Sequence, residues 1–226
     1  MKHYFTLTII AVIAITQLQA QTVPDVSSAS FQKEMKSYKP KLGLKAGYNF
    51  AKVTGSTPNF SPKTNNGFMI AGFFAPQSKG IGYRTELIFS RQGFSFDESG
   101  KMQDVTQDYI YMPHLTTFTI AKKVQLQAGG QVGYLLNAKK SSSSQSEEEK
   151  VTEYMNRFDY GFAGGIEIYP FKGLLIGGRY NVSLGNIYKT SSYTSSPSPI
   201  PNPLPFNPEE VKGKNAVVQF FVGYRF

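Results

Sequence analysis

The chain reads as all-β, an eight-stranded antiparallel up-and-down transmembrane β-barrel, and three observations predict it. Alternation of apolar and polar residues with period two is the mark of a strand whose two faces meet different surroundings. It recurs eight times, over residues 41–53, 67–76, 80–94, 107–120, 123–138, 155–169, 173–187 and 214–226. The connections between these runs are in turn long and short. The last run ends on an aromatic residue, Phe226.

Ahead of the strands, residues 1–20 carry Lys2, an apolar run from Ile9 to Ile15, and Leu18-Gln19-Ala20 before Gln21. A basic start, a short apolar core and a small residue before a cut predict a secretory signal peptide. The run is too short to cross a bilayer as a helix, which takes about 20 residues. Passage through a membrane would therefore be as a closed barrel, which pairs every backbone group without water. Residues 21–40 hold no strong pattern and are expected to form a periplasmic lead-in, leaving 41–226 as the barrel.

The short connections fall near Gln77-Ser78-Lys79, Ala121-Lys122 and Pro170-Phe171-Lys172. The long ones span 54–66, 95–106, 139–154 and 188–213. Transmembrane barrels have short periplasmic turns and long external loops, so an even strand number with both chain ends in the periplasm follows. Loop three holds Ser141-Ser142-Ser143-Ser144 and Glu147-Glu148-Glu149. Loop four holds Pro197, Pro199, Pro201, Pro203, Pro205 and Pro208, a run that cannot pair as a strand and reads as a surface loop.

Each strand has an apolar, aromatic face and a small or polar one. Leu42, Leu44, Ala46, Tyr48 and Phe50 oppose Gly43, Lys45, Gly47 and Asn49 in the first; Phe158, Tyr160, Phe162, Ile166 and Ile168 oppose Asp159, Gly161, Ala163, Gly165 and Glu167 in the sixth. Periodicity alone also fits a soluble eight-stranded barrel with the apolar face inward. The terminal Phe226, the loop asymmetry and the glycine-rich polar face favour the membrane form, with the apolar face outward. Phe220, Val222, Tyr224 and Phe226 on the outer face of the final strand then read as the sorting signal of an outer-membrane barrel.

An eight-stranded barrel has room inside only for side chains. The expected inward charges are Lys45, Arg84, Glu86, Asp159, Glu167, Arg179 and Arg225. Counting from the short turns and chain ends places Lys45, Arg84, Glu86, Glu167 and Arg225 toward the periplasmic half. Charges in so dry a space must pair, which predicts a lumen network of Lys45, Arg84, Glu86, Glu167, Arg179 and Arg225. Such a network could pass protons or ions; the expectation is structural filling and no open pore.

Other function classes find little support. Cys is 0, which excludes disulfides, thiolate metal sites, a Cys nucleophile and a lipid anchor on Cys. The formal net charge of +9 is dispersed, with no Lys/Arg run longer than two, so nucleic acid is not an expected partner. Outer-membrane lipid and the phosphates of lipopolysaccharide suit it better. His114 is the single histidine after residue 20, midway along the fourth strand, and no metal cluster, G-x-S-x-G motif or phosphate loop accompanies it. No catalytic residue, metal or cofactor is expected. Which way His114 faces is left open by its neighbours: Pro113 and Leu115 argue one way, Phe118 and Ile120 the other.

The chain resembles the PorT-type outer-membrane β-barrel family of Gram-negative bacteria. The resemblance rests on Leu42-Gly43-Leu44-Lys45-Ala46-Gly47-Tyr48-Asn49-Phe50, on Tyr83-Arg84-Thr85-Glu86-Leu87-Ile88-Phe89-Ser90-Arg91-Gln92-Gly93, and on Tyr109-Ile110-Tyr111-Met112-Pro113. It continues with Gly129-Gly130-Gln131-Val132-Gly133-Tyr134-Leu135-Leu136, Gly178-Arg179-Tyr180-Asn181 and Phe220-Phe221-Val222-Gly223-Tyr224-Arg225-Phe226. His114 departs from it, where the family continues with an apolar residue after Pro. The resemblance implies a barrel in the outer membrane, assembled by the barrel-assembly machinery. It leaves two roles: an accessory component of protein secretion or envelope assembly with secretion-system partners, or a free-standing surface barrel whose long loops bind a ligand, host surface or other cells.

Overall fold

The computed structural model describes residues 40–55, 62–76, 80–120, 123–142, 145–189, 204 and 211–226. The expected signal peptide and all of the lead-in but Pro40 lie outside these residues, as do nearly all of the Pro-rich stretch. Nine strands are described: β1 (Pro40–Thr54), β2 (Lys63–Pro76), β3 (Ile81–Glu98), β4 (Lys101–Ile120), β5 (Val124–Ser142), β6 (Gln145–Lys150), β7 (Phe158–Ile168), β8 (Leu174–Ser183) and β9 (Lys214–Arg225). Each of β1, β2, β3, β4, β5, β7, β8 and β9 pairs antiparallel with its neighbours, and β9 returns to β1, so eight strands close a ring. β6 lies outside it as a hairpin on the far end of β5.

The ring is sheared. A row followed from Ser90 through Met69, Gly47, Phe221, Gly177, Glu167, Gln125 and Thr119 returns to the start of β3 at Gly80, ten residues lower. Strands in so staggered a barrel tilt by about 35–45° to its axis. The tilt gathers inward residues from strands distant in sequence onto one level.

Outward faces are apolar along the lower barrel. Leu42, Leu44, Phe74, Ile81, Leu126, Phe162, Ile176, Phe220 and Val222 are exposed there, which in water would be untenable and in lipid is required. The small inward residues have a steric reason. A Cβ at Gly43 would lie 2.1 Å from the Phe73 ring, and one at Gly177 2.6 Å from the Phe221 ring.

The long connections differ from the sequence reading. Residues 95–106 are not a loop: β3 and β4 run on to a tight turn at Ser99-Gly100, both with positive φ (54° and 81°), and Glu98 opposes Lys101. This is the geometry of two-residue hairpins whose twist matches the strands. Residues 139–154 are likewise mostly strand, β5 and β6, followed by a 3₁₀ turn at Thr152–Tyr154. β2 begins at Lys63, β7 at Phe158, and β8 ends at Ser183. The hairpins escaped notice because the face that alternation marks changes sides above the lipid: Phe94, Phe96 and Val105 are apolar and point inward.

Candidate functional site

The lower lumen holds five charged side chains in contact, from β1, β3, β7 and β8. Lys45 Nζ donates to Glu86 Oε1 at 2.7 Å and lies 3.5 Å from Glu167 Oε1. Arg84 Nη1 donates to Glu167 Oε1 at 2.6 Å and sits 3.7 Å from Glu86 Oε1. Arg179 grips Glu86 with both ends of its fork, at 2.8 Å each. All five side chains are fully buried. Charge-assisted and bidentate bonds are the strong kind, and here they are what makes burial of these groups tolerable.

Three cations meet two carboxylates, so pairing alone leaves one positive charge in excess. The remainder falls on aromatic faces: Lys45 Nζ lies 4.2 Å from the Phe221 ring centre and the Arg84 guanidinium 4.6 Å from that of Phe73. Cation–π contacts strengthen where water is excluded. Neutral groups take up part of what remains, while Arg84 Nε and Arg179 Nε are buried without a hydrogen-bond partner among the described residues. Arg84 Nη2 donates to Gln125 Oε1 and to the Tyr169 hydroxyl, both at 2.8 Å, and Tyr169 donates in turn to Glu167 Oε2 at 2.7 Å. Gln127 bridges the two halves, accepting from Arg179 at 3.1 Å and donating to Glu167 at 3.3 Å.

Arg225 is not part of this cluster, contrary to the sequence expectation. Its guanidinium lies 4.5 Å from the centre of the Tyr169 ring, at the rim of the barrel. Asp159 is inward but higher, and among the described residues its partners are neutral. Tyr111 and Ser183 hydroxyls donate to its Oδ2 at 2.8 and 2.6 Å, and the Tyr160 N–H to its Oδ1 at 2.8 Å.

Above the ionic layer, Asn49, Ser90, Gln92, Tyr111 and Gln219 fill the lumen with mutual hydrogen bonds. A cavity of about 10 Å³ between Gln131, Asn181 and Gln219 is at the limit for one water molecule. Higher still the filling is apolar. Phe94, Phe96, Val105, Val151, Met155, Ile187, Tyr188, Leu204 and Val211 are buried together as a cap under the outer hairpins. Burial holds the Tyr188 hydroxyl neutral, well above its ordinary titration range. The hairpins are tied to one another by Lys140 and Glu98 at 3.0 Å and within β5–β6 by Lys139 and Glu148.

His114 faces outward, into the apolar wall. The inward phase of β4 takes Pro113 and Leu115, and the outward phase takes Phe118 and Ile120. The Tyr83 hydroxyl lies 2.5 Å from His114 Nδ1 and the Thr85 hydroxyl 3.1 Å away. No carboxylate is bonded to it among the described residues, and no metal-ligand cluster is found there. The sequence carried no signal for this Tyr-Thr-His group, because it forms across two strands. Phe220, Val222, Tyr224 and Phe226 all face outward and are exposed on the lower wall.

A family model described as "Outer membrane protein beta-barrel domain" matches residues 19–189. Among solved structures, Neisserial surface protein A shares 13% identity over 82% of this chain and 97% of that one, with a TM-score of 0.51. Ail, the attachment invasion locus protein of Yersinia pestis, shares 19% identity over 83% and 99%, with a TM-score of 0.48. OprG of Pseudomonas aeruginosa shares 10% over 84% and 97%, with a TM-score of 0.44. Comparison with curated proteins gave no match.

Proposed function

The chain belongs to the outer membrane protein β-barrel domain family, and from that premise we propose that it is a non-catalytic, non-conducting barrel whose working surface is its external face. It is a small barrel of the outer membrane. The observation that carries the reading is the double seal. The ionic layer of Lys45, Arg84, Glu86, Glu167 and Arg179 closes the lower lumen, and the apolar cap closes the upper one. A lumen built this way offers no route to a solute and no basin for a substrate. What it supplies is rigidity beneath the β3–β4 and β5–β6 hairpins, so that groups such as Asp97, Lys101 and Glu149 are presented to the outside with little ordering left to lose on binding. The ligand class is a soluble or surface-bound partner of the cell exterior.

The test compares the unchanged protein with a variant in which residues 97–101 are replaced by a Gly-Ser linker. Binding of whole cells to candidate surfaces should fall in the variant while its level in the outer membrane holds. Equal binding by both would overturn the reading.

A second reading is favoured by the Tyr83-Thr85-His114 group, which puts polar hydrogen-bonding atoms on the lipid-facing wall. Ionisable groups at that depth are costly and mark contacts. An accessory subunit of a secretion or assembly machine, the role suggested by the PorT-type resemblance, would use such a wall to meet another envelope protein. Purification of the tagged protein from native outer membranes in mild detergent separates the two: a stoichiometric set of envelope proteins supports the accessory role, and recovery alone supports the external surface.

A further inference from the structure

The periplasmic end carries a feature that neither reading uses. A cavity of about 360 Å³ opens at the barrel mouth, beside the turn at Pro170-Phe171-Lys172, and is lined by Lys41, Lys123, Lys172 and Arg225 with no Asp or Glu side chain among them. Arg225 has no ion-pair partner among the described residues, yet it is held in place. Its backbone N–H donates to Gly173 O at 2.7 Å, and its guanidinium lies 4.5 Å from the ring centre of Tyr169, itself anchored to Arg84 and Glu167.

A second hollow, of about 510 Å³, runs up the lipid-facing wall from the same rim, over Leu42, Leu44, Gly72, Phe74, Leu87 and Phe226. It exists because Gly72 has no side chain: a Cβ there would touch one atom, Leu44 Cδ2 at 3.8 Å. The two hollows share Phe226, whose N–H donates to Leu42 O at 2.9 Å. A cationic pocket at headgroup depth thus continues into an apolar groove at acyl-chain depth.

We propose that the mouth and groove together bind one anionic glycerophospholipid of the periplasmic leaflet, with its phosphate among Lys41, Lys123, Lys172 and Arg225 and an acyl chain along the groove over Gly72. The chemistry fits one occupant class. A soluble phosphate ester would leave the groove empty, and a zwitterionic lipid would leave the excess positive charge unmatched. The proposal does not rest on the external-surface reading and would survive its failure.

The test uses the full chain refolded into bilayers of equal phosphatidylglycerol and phosphatidylethanolamine, released into mild detergent and weighed intact. The wild type should retain one phosphatidylglycerol, preferred over phosphatidylethanolamine by at least about tenfold, as several basic groups near one phosphate imply. The triple variant Lys41→Glu, Lys123→Glu, Lys172→Glu should lose the preference. Gly72→Leu, whose Cβ has room and whose branch would enter the groove, should lose retention while remaining folded. No retained lipid, equal retention of both lipids, or unchanged retention in the triple variant would overturn the proposal. So would glycerophosphate displacing the lipid at equal concentration, which would assign the mouth to a free phosphate ester. A lipid-free dimer mass would instead assign the groove to a second copy.

Discussion

The lower barrel and the outer cap are built from the same eight strands with opposite rules. Between Leu42 and Phe50, and between Ile81 and Phe89, apolar side chains face out, and the inward side carries Lys45, Asn49, Arg84 and Glu86 beside Ile88. Past Arg91 and Asp108 the order inverts. Phe94, Phe96 and Val105 turn inward, while Asp97, Lys101 and Lys139 face out. The exposed Arg91–Asp108 pair, 2.7 Å apart, marks the crossing. The β3–β4 pairing keeps its register through this level, while the β4–β5 pairing slips at Asp108/Tyr109 and the β2–β3 pairing between Thr64 and Met69; what lies outside the wall changes as well. A strand's apolar face is defined by what lies outside the protein. The lower interior sets charged and polar groups against the rings of Phe73 and Phe221, and the upper interior is a hydrophobic core.

The difference predicts unequal responses to damage. Replacing Glu86 with Gln removes the carboxylate shared by Lys45 and Arg179, leaving three buried cations to Glu167. A loss of about 3–5 kcal/mol is expected, as for a broken buried pair. It should be read as failure of the barrel to reach the compact form that resists unfolding in unheated gel electrophoresis. Deleting Phe226, or replacing Tyr224 with Asp, should block membrane assembly, and the outer-membrane level of either variant measures it. Normal levels would remove the sorting role of the final strand. Phe94→Ala in the cap should cost about 3–5 kcal/mol on the scale of core truncations, but locally: hydrogen exchange in β3–β4 beyond Arg91 should speed up while the lower strands stay protected. Arg91→Ala should matter least, about 0–1 kcal/mol, as for an exposed pair. A cap variant that unfolds the whole barrel would erase the distinction between the two regions.

How much of this was legible in the sequence follows the same division. Alternation found all eight ring strands because lipid demands an unbroken apolar face. It missed the hairpins past Ser95 and Lys139, where that demand ends and the apolar residues cross to the inside. Counting from the turns set the depth of Lys45, Arg84, Glu86 and Glu167, since tilt and rise are fixed for a barrel of this size. It failed for Arg225, which shares their face but stacks on Tyr169 at the rim instead of joining the carboxylates. The partners themselves were out of reach. Lys45 and Glu167 are 122 residues apart and meet only through the shear of the ring. The same holds for Tyr83 and His114, whose contact depends on the pairing of Thr85 with His114.

The lumen is a closed core in which the buried charges of the ionic layer are paired. Conductance across a planar bilayer holding the purified wild-type protein tests it most directly. No steady current above that of the bare bilayer is expected at any applied voltage. A reproducible unitary conductance, altered in size or ion selectivity by Glu167→Gln, would contradict it and make the charged layer a pathway.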